Sequence, residues 1–157
     1  MSEEPDDLAG LREEIDRVGR SAARRFDPGA GALTIAVAAL AILVSLILPW
    51  TDDIQGLSLL LGQGGGLPEV FSYAAVLVGV LLPALTLTVR RWALAWICAL
   101  ASFAASVAGV LSIWSTQTTT GHQAGPGPGA GLVLAVVAIV VLLVTWMKLA
   151  ASRPPLQ

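Results

Sequence analysis

This sequence is short of nearly everything that reactive chemistry uses. It has one cysteine, Cys98, and one histidine, His122, so no intrachain disulfide can form and no Cys/His zinc spacing exists. Only 13% of its 157 residues are charged, whereas 55% are hydrophobic, a balance too apolar for an ordinary water-soluble domain. Segments 51–73 and 116–130 hold no Lys or Arg. The glycines between 62 and 66 are followed by neither the Lys nor the Ser/Thr of a phosphate loop. With a single His and no Ser in a strained elbow motif, a nucleophile–base pair is missing too. No dense basic stripe with interleaved aromatics points to nucleic acid. On these absences the expectation is a chain that is not an enzyme, with no catalytic residue, no cofactor, no metal site, no small-molecule ligand and no nucleic-acid partner.

What is present is four long apolar runs, at about 30–50, 70–89, 92–115 and 131–149. A bilayer core of roughly 30 Å is crossed by about 20 helical residues. All nine basic residues flank one side of the pattern these runs draw. Arg12, Arg17, Arg20, Arg24 and Arg25 precede the first run, Arg90 and Arg91 separate the second from the third, and Lys148 and Arg153 end the fourth. The other side carries only Asp52, Asp53 and Glu69 as charges. That is the positive-inside pattern, which reports orientation across a bilayer. It predicts a plasma (inner) membrane, multi-pass protein with N and C termini cytoplasmic and the lipid bilayer as its surroundings. The first run, about 20 residues ending in Leu48-Pro49-Trp50, reads as an uncleaved membrane helix and not as a secretory signal.

Residues 1–28 predict a cytoplasmic amphipathic helix. Leu8, Leu11, Ile15, Val18 and Ala22 recur at 3-4-3-4 spacing with Phe26 a turn later, and charges fill the other faces. Three readings of this helix stay open: it lies on the inner leaflet, it pairs with a copy of itself or a partner helix, or it is a tail. Residues 29–151 form the expected four-helix transmembrane domain, and 152–157 a cytoplasmic tail. Pro83 predicts a kink in the second helix, with Thr86 and Thr88 near enough to serve the carbonyl it frees. Trp50, Trp92, Trp96, Trp114 and Trp146 all fall near expected interfaces, where indole rings anchor at headgroup level.

In the cores of the four helices no charged or titratable group occurs apart from the thiol of Cys98, which argues against proton-coupled transport. The positive signal is packing. Ala101, Ala105 and Gly109 form one small-xxx-small row on the third helix, and Cys98, Ser102 and Ser106 form another, letting backbones approach. Outside the runs, Asp52, Asp53, Glu69 and His122 are ligand types without the spacing of a metal loop.

The Ala/Val/Leu-rich spans, the acidic-then-basic first helix and Leu48-Pro49-Trp50 resemble small four-helix actinobacterial inner-membrane proteins of uncharacterised function. The resemblance implies a plasma-membrane location and brings no catalytic residues with it. The sequence therefore predicts an all-α, four-helix transmembrane bundle. Its expected role is a non-enzymatic accessory, scaffold or assembly component of a membrane or cell-envelope complex, with a protein partner or self-association. The alternative is an oligomeric channel or small-solute transporter without a membrane-embedded charge.

Overall fold

The computed structural model describes residues 29–52, 54–89, 92–118, 125 and 127–152. Helix α1 (Gly29–Ile47) leads into a small antiparallel hairpin of β1 (Pro49–Thr51) and β2 (Ile54–Gln55). Pro49 pairs with Gln55 and Thr51 with Ile54, with a register irregularity between Pro49 and Thr51; after the strand, Asp52 adopts a positive φ of 41°. A short α2 (Gly56–Leu60) follows. Next come α3 (Leu67–Val76), a π-helical turn (Leu77–Leu81) and α4 (Leu82–Val89), which together make one apolar rod of 23 residues. Two further helices, α5 (Trp92–Gln117) and α6 (Ala130–Ala151), complete the described fold.

Each long element buries a stripe at helical spacing, which is why these runs pack as helices. On α1 the buried positions are Ile35, Ala38, Ile42, Ser45 and Leu46; on α6 they include Leu132, Ala135, Ile139, Leu142 and Trp146. These intervals of three and four put the residues on one face. Helix α6 packs along both α1 and α5, and α3 packs on α5. The neighbours run antiparallel. Gly31 near the start of α1 lies against Leu149 near the end of α6, and Gly131 at the start of α6 lies against the Ser45 carbonyl. Both chain ends of the bundle therefore emerge together, at the end opposite the hairpin.

The outer faces are as apolar as the core. Leu33, Leu40, Leu81, Leu100, Phe103 and Trp114 are all more than half exposed. Three rods, Leu67–Val89, Ala93–Gln117 and Ala130–Ala151, are long and apolar enough to cross a membrane by length and composition. The apolar part of α1, Gly31–Ile47, is shorter.

The sequence placed the first run to residue 50, but the helix stops at Ile47. Pro49 cannot donate to a helical ladder and biases the residue before it toward extended backbone. The apolar stretch 57–60 forms most of α2, and its Leu59 is only 2% exposed. The amphipathic segment 1–28 and the tail after 152 lie outside the described residues.

Candidate functional site

The end of the bundle that carries the hairpin is built around Trp50. Its indole Nε1 donates to the Ser45 carbonyl at 2.7 Å, and its ring meets Phe71 at a centroid distance of 5.4 Å, tilted by 38°. Both rings are fully buried. Glycines make the cage possible. A Cβ on Gly56 would come within 2.4 Å of Trp50 Nε1, and one on Gly129 within 2.3 Å of the Pro49 carbonyl oxygen. The Gly129 N–H donates to the Trp50 carbonyl at 2.8 Å, tying the start of α6 to β1. Trp50 thus joins the hairpin, α3 and α6.

Such burial changes the reading of the tryptophans. Trp50 and Trp146, expected as interface anchors, are enclosed by the bundle at 0% exposure, whereas Trp96 and Trp114 are exposed at 38% and 64%. A tryptophan anchors at an interface only if its side chain points outward, and the hairpin strand β1 turns Trp50 inward while the buried stripe of α6 does the same for Trp146. Trp92 opens α5.

The small residues of α5 lie against its neighbours. Ala105, Ser102 and Ser106 are buried and Ala101 is partly so. Gly109 faces Val136 and Phe71, whose atoms a Cβ would approach to 2.7 and 2.9 Å. Lower down, the Thr86 hydroxyl and the Cys98 thiol make a hydrogen bond at 3.0 Å between α4 and α5. Leu8, Leu11, Ile15, Val18 and Phe26 lie outside the described residues.

Glu69 accepts a hydrogen bond from the Gly65 N–H, closing the glycine turn before α3. Asp53 and His122 are outside the described residues. Among the described residues, no group of three or more His, Cys, Asp or Glu comes together to hold a metal ion. An open groove of about 350 Å³ runs between α1 and α6, lined by Leu33, Val37, Ala41, Leu134 and Val141 with Thr34 as its single polar side chain. Its walls offer packing surface, with no set of polar groups to orient a substrate.

Comparison with known proteins supplies what this geometry does not. The chain matches the family model described as the MiaB C-terminal domain over residues 12–157. A tRNA-2-methylthio-N(6)-dimethylallyladenosine synthase of Mycobacterium avium (strain 104) is 39% identical over 158 residues, covering 96% of this chain. The chain spans 22% of that relative's length. No solved structure matches.

These findings correct much of what the sequence predicted. The resemblance to uncharacterised inner-membrane proteins gives way to a family named for a tRNA-modifying enzyme, and the expectation of a chain unconnected with an enzyme goes with it. The accessory scaffold of an envelope complex, and the channel or transporter set beside it, are both overturned. So are the exclusion of nucleic acid, the lipid bilayer as the chain's partner, and the multi-pass plasma-membrane location. The physical reason is plain: charge asymmetry and apolar runs describe the surface of a helix, and a surface does not state which activity a domain serves. Matched from residue 12 to its last residue by one family model, this chain belongs to the MiaB C-terminal domain family.

Proposed function

We propose that this chain serves a tRNA-modifying enzyme, as the C-terminal domain of a synthase of the kind its Mycobacterium avium relative is named for. The observation that carries the reading is the 39% identity across 96% of the chain. In this reading the modified macromolecule is tRNA and the product is the 2-methylthio-N6-dimethylallyl form of adenosine. The chain corresponds to 22% of the relative, and in this reading the reacting groups lie in the remaining length. The share of this domain is to hold that catalytic part in place through the helical bundle. The lack of a convergent cluster of ligand side chains among the described residues supports this division of labour.

The test is to join this domain to the remaining length of the relative and compare the product with a version lacking the domain. Methylthiolation of tRNA is followed in both. The reading expects the shortened enzyme to lose turnover or cellular abundance; equal turnover and abundance in the two would contradict it.

A second proposal concerns the fold alone: the four long helices form a bundle of the transmembrane class. Three rods of 22 to 25 residues support it, and so do the large aliphatic side chains exposed around the outside. A span of about 20 apolar residues matches the thickness of a hydrocarbon layer.

A further inference from the structure

Pro83 leaves a gap in backbone bonding that the neighbouring threonines do not fill. A proline has no N–H, and its ring collides with the carbonyl one turn back. The π turn relieves the collision by widening the helix, with the Leu82 N–H reaching back to the Leu77 carbonyl. On either spacing, four residues or five, a carbonyl of Val78 or Gly79 looks to Pro83 for its donor and finds none. The sequence assigned that carbonyl to Thr86 or Thr88. Instead, Thr86 Oγ1 donates to the Leu82 carbonyl and Thr88 Oγ1 to the Leu85 carbonyl, both at 2.8 Å and both on the far side of the π turn.

Two contacts fix what faces this turn from α5. Thr86 meets Cys98 at one end, and Phe71 meets Gly109 at the other. Antiparallel packing between those points sets Ser102 opposite the stretch 78–82 and Ser106 nearer Ala75. The Ser106 hydroxyl is occupied, donating to the Phe103 carbonyl at 2.7 Å. Ser102 Oγ is fully buried and, among the described residues, has no hydrogen-bond partner. Val78 and Gly79 are buried as well.

A buried hydroxyl without a partner, facing a buried carbonyl without a donor, is costly unless something joins them. We propose that Ser102 Oγ and the carbonyl left free by Pro83 hold one ordered water between them, a single hydrated point in an apolar interface. The water donates to the carbonyl and exchanges a second bond with the hydroxyl, a role that buried waters fill in protein interiors. In apolar helices, ordered water is one means of restoring a bond that proline removes. This inference stands on the bundle's own geometry and is independent of the tRNA reading.

The experiment is a thermal-unfolding cycle on the full chain with Ser102→Ala, Pro83→Ala and the double variant, paired with a high-resolution structure. Ser102→Ala is expected to lower the midpoint by about 2–4 °C when Pro83 is present, as for one lost buried hydrogen-bonded group in a chain of this size. In the Pro83→Ala background, where the substituted residue supplies the missing N–H, the same change is expected to have little effect. The structure is expected to show one water within hydrogen-bond reach of Ser102 Oγ. Equal shifts in both backgrounds would overturn the proposal, and so would a Ser102 hydroxyl bonded only to its own helix with no water beside it.

Discussion

Gly131 shows how closely the hairpin end of the bundle is packed. A Cβ there would lie 2.6 Å from the Ser45 carbonyl oxygen and 2.6 Å from Trp50 Cδ1. The first obstacle is backbone, which cannot swing aside as a side chain can. Gly131→Ala should therefore destabilise the chain by about 1–3 kcal/mol, the usual cost of overpacking, read as a fall in the denaturant or thermal midpoint. Trp50→Ala removes the ring that the glycine cage surrounds and should cost about 3–5 kcal/mol in the same measurement. Midpoints equal to the parent's would show that the indole is not held as described. Little of this was legible in the residues themselves. All five tryptophans stand near helix ends in the sequence, but only the fold divides Trp50 and Trp146 from Trp96 and Trp114. The division depends on which side chains find a neighbour in the bundle.

Among the elements, the four long helices lie over the four apolar runs because those runs also carry small and branched residues at intervals of three and four. Punctuation was harder to read. Pro49 ends α1 and opens a strand instead of extending a helix to Trp50, and the hairpin is too short to leave an alternating pattern. The restart of the chain at α3 depends on Gly66, whose φ of 79° and ψ of −163° belong to a region that only glycine enters freely. Gly66→Ala is expected to cost about 1–3 kcal/mol through backbone strain. A Cβ on Gly64 would instead meet the buried Leu59 side chain, a packing obstacle in place of a strained backbone. A fall in the midpoint of Gly66→Ala checks the assignment; a midpoint equal to the parent's would contradict it.

For the molecule as a whole, the outer surface and the family point to different questions. The surface asks what surrounds the bundle. Leu100 is 65% exposed in the middle of α5, so Leu100→Arg separates the possibilities. In a transmembrane bundle an arginine there is expensive and should reduce accumulation in the membrane fraction; in a water-exposed bundle it should raise solubility. The family asks which activity the bundle serves, and here the sequence could not answer. No cluster of reactive residues lies in the apolar runs to be recognised, and membership rests on resemblance spread over residues 12–157. The central claim, that the domain serves tRNA methylthiolation, is tested most directly in cells from which the chain is deleted. Mass spectrometry of nucleosides from purified tRNA should show the 2-methylthio form of N6-dimethylallyladenosine falling and its unthiolated precursor rising, with both restored when the chain is returned. Unchanged ratios of the two nucleosides would contradict the account.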